Sequence, residues 1–510
     1  MNLSFQLAST ANHKSLIGSA LHNLLAERTL IVASNRGPVT VHQNENGNLD
    51  FQRGSGGLVT SLAGVIQYTE ARWIACARTF EDKVWRKGIA PIGVGEDKLW
   101  MEFLTPSDES YEGYYHVIAN PILWFLQHSM WNIFREPTID QTVWQHWNNG
   151  YVAVNMLFSE AIARHIASAP YPGLVMLQDY HLYLAPSMIR YKFRPKAKYT
   201  LTHFIHIPWP GAEDWGFLPP KMRLAILEGL CAVDLLGFQT REDALNFIRT
   251  CESHLPGAHV NYRQGKVRLR NHSTHIRDFP ISIDVEGLRQ FAQTPEVESY
   301  RDQFMQLQGD CQIILRIDRI DPSKNIVRGF QAFDELLELH PEHRGKVKFL
   351  AHLVPSRLGV SEYGGYLEEV MGVAGKVNAK YGGNDWEPIR VLVDDKYPRA
   401  VAELQLYDVL LANSIADGMN LVAKEGPIVN CRDGVLVLSE RTGAYQQLES
   451  GVLVVSPLDI YGTAEAMHHA LTMPIEERHE RTERLRSLVE RRDIADWLRQ
   501  QLNALVKLRL

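Results

Sequence analysis

Short apolar runs that close on polar residues recur along this chain, and they restrict its fold more than any other feature. Residues 29–35 read TLIVASN, 173–181 read GLVMLQDYH, 199–210 read YTLTHFIHIPWP and 233–240 read VDLLGFQT. The series continues with CQIILRIDR (311–319), KVKFLAHLV (346–354), IRVLVDD (389–395), DVLLANS (408–414) and GVLVLSE (434–440). Runs this apolar, without alternation, suit strands buried on both faces. Between them, LYLAPSMIRYKF and REDALNFIRTC carry helical spacing. Strands separated by helices predict an α/β chain of doubly wound parallel sheets. Ligands in such sheets gather beyond the carboxyl ends of the strands.

At 510 residues the chain exceeds one ordinary core, so two or three domains are expected. The stretch RDFPISIDVEGLRQFAQ (277–293) reads as the boundary, a strand ending in Pro and Asp before a new helix. In the first 28 residues, Leu16, Ile17, Ala20, Leu21, Leu24 and Leu25 fall at helical spacing and predict a short amphipathic helix. A net charge of −6 argues against a nucleic-acid-coating surface. No apolar stretch approaches the roughly 20 residues of a membrane span, and no basic start precedes a long apolar run. Five scattered cysteines without a C-x-x-C pair read as free thiols in a reducing compartment, which places the chain in the cytoplasm.

The chemistry-bearing residues follow the apolar runs. Asn35, Arg36 and Gly37 follow the first, and RGSGGLVTSL (53–62) then offers Gly54, Gly56 and Gly57 before an apolar helix. Such a turn can set backbone N–H groups against a phosphate, and it equally fits a plain flexible loop. Asp179 and His206 follow later runs; alone they also fit a helix cap and a structural histidine. Arg319 and Lys324 stand five residues apart across IDPSKN. Two cations at a strand's end suit a diphosphate, and equally a solvated surface pair. IADGMNLVAKEG (415–426) reads as strand end, tight turn and helix start, with Asp417 over the helix start. No H-E-x-x-H, cysteine cluster or nucleophile elbow appears. Two glycine-rich or Asp-Gly turns with a phosphate-gripping pair suit transfer from a diphosphate-activated donor.

The chain resembles the trehalose-6-phosphate synthases across residues 29–508. The resemblance rests on SNRGP, SGGL, YY with LW nine residues on, QDYHL, HIPWP, LLGFQT, RIDRIDPSKN and DGMNLVAKE, in the family's order. It implies a retaining GT-B glycosyltransferase, with two facing Rossmann-like domains and the active site in the interdomain cleft. Residues 29–283, joined by a returning helix at 490–510, would bind the acceptor. Residues 284–489 would bind the nucleotide sugar. The implied reaction moves glucose from UDP- or GDP-glucose to glucose-6-phosphate, forming alpha,alpha-trehalose 6-phosphate, with no cofactor and no metal. Partners on this reading are those small molecules, with no nucleic acid and no membrane; a homo-oligomer is left open.

The resemblance also implies roles. Arg36, Tyr115, Trp124 and Arg357 would hold the acceptor phosphate, and Asp179 its sugar hydroxyls. His206 would contact the donor sugar near the reaction centre. Arg319 and Lys324 would hold the diphosphate, with Gly56 and Gly57 opposite. Asp417, Gly418, Met419, Asn420, Leu421 and Val422 would hold the glucose, and Glu425 the ribose. Three words depart from the family: RWIACAR keeps Trp73 but has Cys76 where a second Trp is expected, SIADGMN lacks an Arg, and DPSKN replaces DYSKG. The first leaves the acceptor sugar open. A glucosylglycerol-phosphate synthase is the alternative, and a catalytically silent regulatory relative a further one.

Overall fold

The computed structural model describes residues 25–44, 47–53, 71–91, 98–356, 361–383 and 385–508. The helix expected in the first 28 residues therefore lies, apart from its end at Leu25, outside the described residues. So do Gly54, Gly56, Gly57 and Arg357. The described chain forms two compact units, one spanning residues up to 280 together with 494–508, the other 281–493. Among the described residues, no helix is long and apolar enough to cross a membrane.

The N-terminal unit carries strands β1 (Thr29–Ala33), β2 (Val39–Gln43), β3 (Leu49–Arg53), β4 (Ala71–Cys76), β5 (Lys87–Pro91) and β6 (Lys98–Leu104). It continues with β7 (Gly173–Gln178), β8 (Tyr199–Phe204), β9 (Leu235–Phe238), β10 (Ala258–Asn261), β11 (Lys266–Leu269) and β12 (His272–Asp278). Ten of these form one sheet in the order β10-β11-β12-β9-β8-β7-β1-β4-β6-β5, and β2 and β3 pair apart as a hairpin. Its centre is parallel, and β1 and β7 are buried along their whole length. The expectation of parallel pairing throughout is corrected at the margins. β5 runs antiparallel to β6, and β10, β11 and β12 form an antiparallel meander. These edge strands meet a neighbour through short hairpins, which parallel strands cannot use. The final helix, Ile494–Leu508, belongs to this unit and sets Trp497 edge-on to Phe204, with centroids 5.2 Å apart.

The C-terminal unit is a six-stranded parallel sheet: β13 (Gln312–Arg319), β14 (Val347–Val354), β15 (Ile389–Val393), β16 (Val409–Ala412), β17 (Val435–Ser439) and β18 (Leu453–Val455). The order β15-β14-β13-β16-β17-β18 places β13 and β16 side by side, where the strand order reverses. Loops leaving adjacent strands in opposite directions open a crevice at that point. Both IDPSKN and SIADGMN leave the sheet there. Helices Ile326–Leu339 and Ile460–Thr472 pack on it over a core that includes Phe330, Phe333, Phe349 and Met467.

Candidate active site

The turn after β13 is organised by a residue that spacing did not single out. Arg316 is fully buried within the strand. Its guanidinium donates to Asp318 Oδ2 at 2.9 Å, to the Lys324 carbonyl at 2.9 Å and to Asn413 Oδ1. One cation thus ties the strand to both loops that follow β13 and β16. Gly329 makes room for it, since a Cβ there would lie 2.4 Å from Arg316 Nη1. Asp321 accepts from the Ser323 N–H at 3.0 Å and from its hydroxyl at 2.8 Å, closing the turn. The short 3-10 segment Pro322–Lys324 follows, and Asn325 then takes a left-handed φ of 60° before the helix.

Lys324 is only 9% exposed, and its ammonium is paired with the Asp417 carboxylate. Asp417 also accepts from Asn420 Nδ2 at 3.2 Å. Arg319 sits at the last position of β13, partly exposed. The structure therefore brings Arg319, Lys324, Asp417 and Asn420 around one strand end. Asp417 does not sit on a helix start, which corrects that expectation. The helix runs Val422–Val429, and Asn420, with a φ of 70°, accepts from the Ala423 N–H at 3.1 Å. Gly418, Met419 and Leu421 complete the loop. The Gly418 carbonyl would lie 1.9 Å from a Cβ at Gly443, so this loop requires glycine at 443. Asp394 accepts from the Lys396 N–H at 3.1 Å and also faces buried His352 at 3.0 Å.

Beyond the loop, Lys424 is fully buried and donates to the Ile281 carbonyl at 2.7 Å. Burial, with Arg492 nearby, pushes its ammonium down to about 7. Burial pushes the Glu425 carboxyl up to about 7, against the hydroxyl of Tyr397, which donates to it at 3.3 Å.

The N-terminal unit assembles its residues differently. Arg36 leaves β1 and donates to the Tyr115 hydroxyl at 3.4 Å. Tyr115 is stacked between Tyr111, 5.5 Å away, and His181, 5.8 Å away. Tyr115 and Trp124 lie on Glu112–Trp124, a 13-residue π-helix, and Trp124 stacks on His128 at 4.0 Å. Such i→i+5 winding is rare and is enriched at functional sites. Cys76 is fully buried at the end of β4, where its N–H donates to the Asn35 carbonyl at 3.2 Å. Burial raises its thiol far above the ordinary range. Trp73, on the same strand, donates from Nε1 to Ser34 Oγ at 2.8 Å.

Asp179 follows β7 with φ 69° and ψ 177°, a region that is essentially glycine's. Its side chain makes no helix cap. Hydrogen bonds hold the conformation, among them one from the Leu182 N–H to the Asp179 carbonyl at 3.3 Å. The Asp179 N–H donates to the Phe204 carbonyl at 2.8 Å, His203 Nε2 meets the Asp179 carbonyl at 2.9 Å, and the His206 N–H donates to Oδ1 at 3.3 Å. His206 Nε2 pairs with Gln178 Oε1 at 3.0 Å. Burial, with His203 beside it, lowers the His206 imidazole to about 3, so the ring is neutral at physiological pH.

Comparison with known proteins is decisive at this point. The model for glycosyltransferase family 20 matches residues 28–507. The chain belongs to that family. It is 32% identical over 491 residues to the UDP-forming alpha,alpha-trehalose-phosphate synthase of Schizosaccharomyces pombe, covering 95% of this chain and 91% of that one. It is 32% identical over 483 residues to the bifunctional trehalose-6-phosphate synthase/phosphatase of Thermoproteus tenax, with 92% of this chain covered. It spans 62% of that longer protein. An E. coli trehalose-6-phosphate structure bound with UDP-2-fluoro glucose superposes with a TM-score of 0.81 at 26% identity, covering 94% of this chain and 98% of that one. A UDP-forming synthase of Burkholderia xenovorans in complex with glucose-6-phosphate gives 0.78 at 25%, covering 94% and 99%. Family and neighbours make the chain a retaining glycosyltransferase of two Rossmann-like domains, the GT-B fold.

Proposed function

We propose that the chain transfers glucose from UDP-glucose to glucose-6-phosphate with retention, forming alpha,alpha-trehalose 6-phosphate. The observation that carries this reading is the buried Lys324–Asp417 pair in the turn after β13, the strand that ends at Arg319, at the point where the strand order reverses. As the bond from the glucose C1 to the donor phosphate oxygen breaks, negative charge grows on the departing diphosphate. Cations already fixed at that place stabilise it without reorganisation. Asp417 would then share its donors with glucose hydroxyls, and Glu425 would take the ribose. His206 is neutral, so it orients the donor sugar and does not protonate the leaving group. The acceptor hydroxyl oxygen bonds to C1, and its proton passes to a leaving phosphate oxygen. Gly56, Gly57 and Arg357 are assigned to phosphate contacts by their place in the family's words alone. UDP is favoured over GDP by the relatives' UDP-forming names and the UDP-2-fluoro glucose complex.

Cys76 supports a second reading, in which another phosphorylated acceptor such as glycerol-3-phosphate replaces glucose-6-phosphate. Its buried thiol stands beside the Arg36 loop where the family carries an indole. A matrix of UDP- and GDP-glucose against glucose-6-phosphate and glycerol-3-phosphate, read as released nucleotide, tests both. UDP-glucose with glucose-6-phosphate is expected to turn over fastest. Faster release with glycerol-3-phosphate would transfer the assignment to the second reading. Arg319 and Lys324 already supply positive charge at the donor turn, so turnover is expected to survive a chelator. Loss of all activity on chelation would refute that.

A further inference from the structure

The C-terminal unit carries a second cluster, remote from the donor turn. Helix Ile326–Leu339 starts at that turn and runs 14 residues, about 21 Å. His340 caps its far end, Glu342 and His343 follow in the short segment Pro341–His343, and Glu465 and His468 project from helix Ile460–Thr472. We propose that His340, Glu342 and His468 bind a divalent transition metal of the Zn2+ class, with Glu465 and His343 as hydrogen-bonded supports.

Three observations carry this. Donor atoms of His340, Glu342 and His468 all lie within 4.8 Å of one another. Ligand atoms around a four-coordinate zinc with bonds of about 2.0–2.2 Å are about 3.3–3.6 Å apart, so the site closes by drawing the three donors together with rotation of one imidazole. Second, the unused nitrogens are already engaged. His340 Nε2 meets Glu465 Oε1 at 2.8 Å, which leaves Nδ1 facing Glu342 Oε1 at 3.6 Å. His468 Nδ1 meets His343 Nε2 at 3.0 Å. A carboxylate behind a ligating histidine fixes its tautomer and ring direction, the usual outer support of such sites. Third, the His340 and His468 rings lie 3.6 Å apart at 7°, so the two side chains are neighbours, and one ring turns out of the stack when both in-plane lone pairs meet one ion. Two imidazoles and a carboxylate select Zn2+, Ni2+ or Cu2+ over Mg2+ or Ca2+. A bound ion would fasten the end of helix Ile326–Leu339 to helix Ile460–Thr472, a structural staple outside the transfer chemistry.

The test uses the full chain, free of any histidine tag and stripped with chelator. Titration calorimetry with ZnCl2 is expected to show one equivalent bound, and CoCl2 to give visible absorption bands. His340→Gln and His468→Gln should each weaken binding at least tenfold, and Glu465→Gln about tenfold through its supporting role. Zn2+ should raise the melting temperature of the parent protein and leave that of His468→Gln unmoved, with the glucosyl-transfer rate unchanged in both. Glu342→Gln, at an exposed position, cannot fail to fold for want of a core contact and should also lose affinity. Absence of stoichiometric binding would overturn the proposal. So would binding left intact by the His340, Glu342 and His468 substitutions, which would place the ion elsewhere.

Discussion

The two candidate clusters, one in each unit, are built on opposite plans. In the C-terminal unit the residues follow β13 and β16, adjacent strands, and charge holds charge. Arg316 is gripped by Asp318, the carbonyls of Lys324, Asn325 and Ile326, and Asn413, and Lys324 by Asp417. In the N-terminal unit Arg36, Tyr115, Trp124, Asp179 and His206 come from four segments, with Tyr115 and Trp124 on one helix, and ring stacking with one strained backbone position holds them. A site that must stabilise a departing diphosphate needs cations that cannot move, and buried counter-charges provide that. A site that must recognise a sugar phosphate needs shape, and stacked rings provide it. Substitutions should therefore fail differently in the two halves.

The largest effect is expected at Arg316, which touches no substrate on this reading. Arg316→Met should destabilise the C-terminal unit by about 3–5 kcal/mol, because it leaves Asp318 buried without its partner. Chemical denaturation reads this directly, and a loss below about 1 kcal/mol would break the comparison. Next comes Lys324→Ala, with Arg319→Ala beside it. Each should cut kcat/KM by about 10²–10³, or about 2–4 kcal/mol of transition-state stabilisation, in a folded protein. Near-normal turnover in either variant would remove the diphosphate from this turn.

The acceptor half should respond more gently and in KM. Arg36→Ala removes a charge-assisted contact worth about 1.5–3 kcal/mol, so KM for glucose-6-phosphate should rise about 10- to 100-fold. Unphosphorylated glucose should be a poor acceptor for the parent enzyme. If glucose serves as well as glucose-6-phosphate at equal concentration, Arg36 and Tyr115 do not read a phosphate.

The same contrast explains what could be read from the chain. β1, β7, β8, β9, β13, β14, β16 and β17 were legible because strands buried on both faces are largely apolar, and the edge strand β15 because its run IRVLV is apolar although partly exposed. The antiparallel margins were not, because a short edge strand such as Ala258–Asn261 alternates partly buried and exposed side chains over too few residues to stand out. Arg319 and Lys324 could be found as two cations spanning a turn. Arg316 stands in the same word, but nothing in its spacing says that its guanidinium faces inward. Gly329 and Gly443 matter only through what approaches them in space. In the N-terminal unit no periodicity marks the π-helix Glu112–Trp124. Tyr115 and Trp124 were reached only by resemblance, as is usual when separate segments build a site.

The smallest predicted effect lies beside the donor loop, where adjacent residues carry opposite shifts. Glu425 titrates at about 7 when folded and at the ordinary carboxylate value when unfolded. Between pH 4.5 and 7 the native state therefore binds more protons, and this group's contribution to stability falls as pH rises. Lys424 titrates at about 7 when folded and near 10.5 when unfolded. Between those values the unfolded state binds more protons, so stability rises with pH. Together they impose a minimum near neutrality on the ligand-free protein. Glu425→Gln should remove the falling limb and Lys424→Met the rising one, read from urea midpoints between pH 5 and 9. Added UDP should flatten the parent's falling limb, because binding through an ionised Glu425 expels the proton that the ligand-free native state holds. Parallel pH profiles for the parent and both variants would show that neither group titrates where its burial places it.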